Sequence, residues 1–213
     1  MKTQLYKKCL LTLVVSMSLL LLSTSVANAA DALPQLTIIP LHVDVADVGQ
    51  TFNVVVWLDV SQANVTNLKG WEVKIGFNNT IVNCTSISLM AGHPLDGLGI
   101  SSSVDIENEQ SFAMHMCITM ADEYANVTET KPLCRFNFTA LDYGDSDLTF
   151  MGVGLTFGTY MINNLGTKIP FEPVPSSVTV IPEFSAFMLM TFLIAATSVS
   201  ALAAKRLIKT PHT

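Results

Sequence analysis

Residues 51–60, TFNVVVWLDV, and residues 68–77, LKGWEVKIGF, decide the fold. In the first, Phe52, Val54, Val56, Leu58 and Val60 occupy alternate positions. In the second, Trp71, Val73, Ile75 and Phe77 do so, with Glu72 and Lys74 between them. Strand side chains alternate between two faces, so an apolar set with a period of two predicts a strand half-buried against a core. Residues 61–69 are polar and read as the connection. Downstream, Phe112, Met114, Met116, Ile118 and Met120 alternate with Ala113, His115, Cys117 and Thr119. This places the methionines in the core and His115 and Cys117 on the opposite face. Cys134, Phe136, Phe138 and Ala140 alternate with Arg135, Asn137 and Thr139, and weaker strands fit 36–43, 81–89, 148–156 and 176–181. No helical period competes here. The expectation is an all-β domain, an antiparallel β-sandwich of jelly-roll or immunoglobulin-like type with about nine strands.

Composition divides the 213 residues into a middle and two ends. Half of the residues are apolar, 13% are charged, and the net charge is −6. Six of the eleven basic residues, Lys2, Lys7, Lys8, Lys205, Arg206 and Lys209, stand in the tails. Between residues 30 and 182 five basic residues face sixteen carboxylates, a net charge of −11. Nucleic-acid binding rests on Lys and Arg neutralising phosphates, so that class is excluded. The middle is long enough for one domain with its own core.

Both ends read as addresses. A basic stretch at 1–8, an apolar run at 9–26 and Ala27-Asn28-Ala29 make residues 1–29 a cleaved secretory signal, with an uncleaved anchor as the alternative. Residues 184–204 carry no charge over 21 residues, which as a helix span about 31 Å, the thickness of a bilayer core. The following Lys205, Arg206 and Lys209 keep the tail cytoplasmic, so the domain at 30–181 faces outside and is anchored in the cytoplasmic membrane at the cell surface. Pro182-Glu183-Phe184 precedes this span, and residues 182–213 as a whole resemble the PEF-CTERM sorting signal of archaeal surface proteins. That resemblance implies an archaeosortase cutting near Pro182 to Phe184. An ordinary uncleaved span remains the alternative.

The middle also resembles a family. The run 48–56, VGQTFNVVV, then 68–77, then Ile81-Val82-Asn83, is similar to the N-terminal half of cohesin modules. Residues 132–140, PLCRFNFTA, look like a later strand of that family, and 169–180 like its closing strand. The likeness covers residues 36–181 in the right order. Gln50 replaces the usual acidic residue, and Asn78-Asn79-Thr80 stands where a Tyr-Asp-Pro corner belongs. The resemblance implies a nine-stranded jelly roll and either a dockerin-like protein partner or a polysaccharide, since the fold is shared with carbohydrate-binding modules. Any Ca²⁺ enters through the partner module.

Five Asn-x-Ser/Thr sequons, at Asn64, Asn78, Asn83, Asn126 and Asn137, stand in the exported region, where 12 Asn and 38 Ser plus Thr predict about two by chance. They are glycosylation candidates. Of the mature cysteines Cys84, Cys117 and Cys134, the last two are a candidate disulfide if residues 111–120 and 132–141 form a hairpin, although the alternation puts them on opposite faces. Met114, His115, Met116 and Cys117 have soft-metal chemistry, but alternation separates them; the Asp142, Asp145, Asp147 cluster reads as a solvated turn around Tyr143-Gly144. The four histidines, at 42, 93, 115 and 212, lack metal-ligand spacing, and there is neither a nucleophile elbow nor a phosphate loop. No cofactor or catalytic residue is therefore assigned. The expected function is a surface-anchored, non-catalytic binding module. Polysaccharide binding would need a row of aromatics from Trp57, Tyr124, Tyr143 and Tyr160. The alternative class is a structural subunit of a surface coat with no specific soluble ligand.

Overall fold

The computed structural model describes residues 32–120, 122–155, 157–182, 190–191 and 193–197. The signal segment, Glu183, Phe184 and most of the expected C-terminal span lie outside the described residues. Residues 190–191 and 193–197 are helical and exposed, and among the described residues no helix is long and apolar enough to cross a membrane.

The first sheet is built from β1 (Gln35–Ile39), β3 (Thr51–Asp59), β5 (Val82–Leu89), β9 (Lys131–Ala140) and β13 (Glu172–Val174), in the order β13-β1-β3-β9-β5. The second has a central strand, β4 (Val65–Gly76). On one side of it lie β7 (Phe112–Thr119), β6 (Ile100–Glu107) and the short β8 (Ala125–Val127). On the other lie β10 (Gly144–Phe150) and β11 (Tyr160–Asn163), followed outward by β14 (Ser176–Val180), β2 (His42–Val45) and β12 (Lys168–Ile169). Fourteen strands among the described residues thus replace the expected nine, because Pro40 splits one expected run in two and because β6, β8, β11 and β12 form from stretches without a marked apolar alternation.

The clearest case is at the two chain termini of the sandwich. β1 leaves the first sheet at Pro40 and continues as β2 in the second; β13 does the same at Pro175 and continues as β14. Proline has no N–H to give a ladder, so the chain changes partner there. The Ser176 hydroxyl donates to the Pro40 carbonyl at 2.6 Å and ties the two crossings together. Both pairs that result, β1 with β13 and β2 with β14, are parallel. The expected purely antiparallel sandwich is in fact mixed.

The core lies between the sheets. Leu36, Ile38, Val54, Val56, Leu58, Phe136 and Phe138 from the first meet Trp71, Val73, Ile75, Leu148, Met161 and Val178 from the second, all at 0–1% exposure. Burying each large apolar side chain contributes roughly 1.5–3 kcal/mol. Phe138 stacks on Phe52 with ring centroids 5.4 Å apart and receives the edge of Phe77, also at 5.4 Å, so the rings bridge the layers.

One strand has the opposite phase from that expected. On β7 the inward residues are Ala113, His115, Cys117 and Thr119, while Phe112, Met114, Met116 and Ile118 form the outer face and Met120 is exposed. The register explains this. Cys117 lies opposite Trp71, His115 opposite Val73 and Ala113 opposite Ile75, so small or flat side chains fill the space left beside bulky ones. The row of Phe, Met and Ile is the bulkier apolar set and His115 the polar outlier of the other, but volume against the neighbouring strand decided the phase.

Candidate binding face

The outer face of the second sheet runs across β6, β7, β4 and β11. Its centre is Met114, Met116 and Ile118, opposite Lys74, Glu72 and Gly70 respectively. Lys74 lays its ammonium 3.6 Å from the Phe112 ring centroid, a cation–π contact that also keeps its stem over the apolar row. Glu72 is buried to 7% exposure under these neighbours, with Tyr160 opposite it on β11. Burial, and then the Glu72 carboxylate, push the Tyr160 hydroxyl above its ordinary pKa. Gly70 leaves room for the backbone of β7: a Cβ there would stand 2.7 Å from the Cys117 carbonyl oxygen. The face is thus shallow, partly apolar and edged by charge.

A protruding loop bounds it. Between β10 and β11 the chain leaves the edge of β4 at Met151 and returns at Thr159, whose N–H donates to the Met151 carbonyl at 2.8 Å. The neck is closed by Gly152 against Gly158, and a Cβ on Gly158 would be driven into the Gly152 backbone. Leu155 and Phe157 project from this loop at 63% and 86% exposure. The Lys168 ammonium donates to the Gly154 carbonyl, and Val153, Tyr160, Ile169, Pro170 and Phe171 line a cavity of about 330 Å³ beneath. Nothing in the alternation marked this loop; its glycine pair was the available signal.

The sequons are spread over the domain. Asn83 and Asn137 are on the outer face of the first sheet, where the Asn137 amide donates to Ser86 Oγ at 2.8 Å. Asn64 is exposed in the β3–β4 connection. Asn126 is exposed on β8, its side-chain oxygen accepting the Asn67 N–H at 2.9 Å. Asn78 is exposed just after β4 and accepts from the Thr80 N–H and hydroxyl, a local Asx turn. Asn83 and Asn137 thus share the other broad face, Asn64 and Asn78 stand in connections, and Asn126 faces outward on β8, at the end of the second sheet beyond β7.

Cys84, Cys117 and Cys134 are buried free thiols. The hairpin expected to join Cys117 and Cys134 does not form: β7 lies between β4 and β6, and β9 between β3 and β5. Burial pushes the Cys84 thiol up to about 12, Cys117 to about 11, and Cys134 higher still. His115 and Cys117 share the inner face and Met114 and Met116 the outer, so the four do not surround one point, and no group of three His, Cys, Asp or Glu among the described residues could hold a metal ion. Of the three aspartates expected in one turn only Asp142 is there, accepting the Tyr143 N–H; Asp145 and Asp147 lie on β10, where Asp145 accepts the Thr179 hydroxyl of β14 at 2.7 Å. The aromatics are scattered. Trp57 is half-buried on the outer face of the first sheet, Tyr143 bonds Asp47 at one end, Tyr124 precedes β8, and Tyr160 lies beside Glu72.

No protein-family model matches the sequence, and no curated protein does either. Solved structures do match. A type I cohesin–dockerin complex from Clostridium thermocellum superposes with a TM-score of 0.54 at 12% identity, covering 70% of this chain and 99% of that one. A type II cohesin–X-dockerin complex from Acetivibrio cellulolyticus gives 0.52 at 17%, covering 68% and 98%. A non-cellulosomal cohesin from the archaeon Archaeoglobus fulgidus gives 0.50 at 11%, covering 74% and 96%. The fold of this chain is therefore cohesin-like, as the strand motifs led one to expect.

Proposed function

We propose that this protein is a non-catalytic binding module that presents its domain outside the cell and captures a dockerin-like protein module on the outer face of the second sheet. One observation carries the assignment of the face: across β6, β7, β4 and β11 it is broad, partly apolar and without a sequon, Asn126 standing on β8 beyond the end of β7, whereas the other broad face carries Asn83 and Asn137. Half-buried Met114, Met116 and Ile118 supply an adaptable apolar centre, and Lys74, Asp105 and Glu107 supply a charged margin. Similar folds have been solved in complex with dockerins, which supports the class of partner. The scattered aromatics favour a protein over a polysaccharide, since a sugar chain needs stacked rings in line.

Export by residues 1–29, glycosylation at sequons and retention by residues 182–213 belong to the same proposal. Archaeosortase processing at Pro182, Glu183 and Phe184 would exchange the span for another anchor. The test immobilises residues 30–181 and exposes them to extract of the source organism with Ca²⁺ or with EDTA. Recovery of a Ca²⁺-dependent protein with a dockerin-like repeat is expected. Retention of polysaccharide alone sinks the proposal, and self-recovery alone favours the surface-coat alternative. Intact mass of the membrane fraction tests anchoring, because retention of residues 184–213 is incompatible with sortase cleavage.

A further inference from the structure

The two sheets each end in an eight-residue strand on the same side of the sandwich, β5 and β6, and the two edges are treated differently. An edge strand offers a row of N–H and C=O groups to any strand that approaches, and proteins blunt such edges with bulges, prolines, positive charges or capping side chains. β5 is blunted. Its register slips between Cys84 and Ser86, and the Asn108 side chain satisfies both backbone groups of Cys84, accepting its N–H at 2.9 Å and donating to its carbonyl at 3.0 Å.

β6 has none of these devices. Its sequence, ISSSVDIE, contains no Pro, Gly, Lys or Arg, and it pairs with β7 in unbroken register from Ile100 to Glu107. The Met120 N–H donates to the Gly99 carbonyl at 2.7 Å, so odd-numbered residues of β6 exchange hydrogen bonds with β7. The N–H and C=O of Ile100, Ser102, Val104 and Ile106 therefore point away from the sheet. Among the described residues nothing bonds to them, and residues 101–104 are all exposed.

We propose that this edge pairs antiparallel with the β6 edge of a second copy of the chain, joining two second sheets into one. The sequence of β6 suits self-pairing about Ser103. In that register Ile100 meets the partner's Ile106 and Ser102 meets the partner's Val104, so all four outward residues of each strand are bonded. The charges are also kept apart: Asp105 lies opposite the partner's Ser101 and Glu107 opposite the partner's Gly99. A parallel pairing would set Asp105 on the partner's Asp105. The two-fold axis is perpendicular to the sheet, so both candidate binding faces end on the same side. The pairing does not depend on what those faces bind.

Cross-linking of the full chain in membranes, with Cys9→Ser to remove the one cysteine outside the sandwich, tests it. Ser103→Cys places two thiols in a wide antiparallel pair with Cα atoms about 4.5 Å apart, within disulfide range. Ser101→Cys leaves them about 13 Å apart, four residues out of register. Oxidised glutathione is expected to convert the Ser103→Cys protein to a species of twice the mass and to give at least about tenfold less from Ser101→Cys, the difference a fixed register produces. Adding Val104→Pro removes an outward N–H that β7 does not use, so the domain folds, as shown by continued protection of Cys84, Cys117 and Cys134 from maleimide, and the dimer is lost. A Ser103→Cys protein that stays monomeric, equal linking by both cysteines, or a dimer indifferent to Val104→Pro each overturns the proposal. The first of these includes the case in which the edge is filled by another protein.

Discussion

The two sheets of the sandwich use the same twofold alternation to different ends. In the first, the inner residues Val54, Val56, Leu58, Phe136 and Phe138 are fully buried, and the outer face carries Asn53, Arg135, Asn137 and Thr139. In the second, β7 has appreciable apolar character on both faces: Ala113 and Cys117 inward, Phe112, Met114, Met116 and Ile118 outward. An apolar outer face is costly to leave in water unless something covers it some of the time. The comparison teaches that a sheet with a polar outer side reveals its core face in the sequence, whereas a sheet apolar on both faces does not.

The sharpest way to break that contrast is to empty the inner face of the second sheet. Trp71→Ala removes the largest fully buried side chain and is expected to destabilise by about 3–5 kcal/mol, seen as a lower denaturant midpoint with an unchanged slope. A loss below about 1 kcal/mol would mean that Trp71 is not a core residue.

Acid tests the same inner face. His115 is buried at 1% exposure, its Nδ1 has no hydrogen-bond partner, and burial followed by the neighbouring His93 pushes its pKa down to about 4. Burial also lowers His93, against the opposing pull of Asp96. The unfolded chain takes up these protons first, so stability is full above about pH 6.5 and falls as the pH drops toward the folded value, by about 3 kcal/mol for His115 alone. Denaturant midpoints at pH 7.5, 5.5 and 4.5 check this. His115→Phe should flatten the profile, and an unaltered slope in that variant would remove His115 as the cause.

Outer-face changes should act on binding instead. Phe157→Ala and Met116→Ala are each expected to weaken capture of a dockerin-like module by about tenfold or more, or 1.4 kcal/mol. The exposed Phe157 should leave the unfolding midpoint within about 0.5 kcal/mol of the parent. Titration calorimetry with the recovered partner measures the first and chemical denaturation the second. Equal affinities would move the binding face elsewhere.

The smallest effect is expected on the first sheet's outer face. Asn137→Gln should remove one glycan's mass from the exported protein while changing neither capture nor stability by more than about 0.5 kcal/mol. A marked loss of capture would place the partner on the glycan-bearing side.

The sequence by itself determined the fold class, the position of the long strands and the resemblance to cohesin modules, because β3, β4 and β9 have one bulky apolar face each and their neighbours' identity hardly matters. It also carried the five sequons and the acidic middle, which are matters of composition. Tertiary structure alone decided the phase of β7, since whether Met116 or Cys117 faces inward depends on the volume that Trp71 already occupies across the strand. It decided the parallel pairs at the chain ends, where Pro40 and Pro175 break long runs and the partner on the far side comes from the other end of the chain. It also decided which edge stays open. A strand's alternation records its own two faces, but its register, its edge and the space beside it belong to residues distant in sequence.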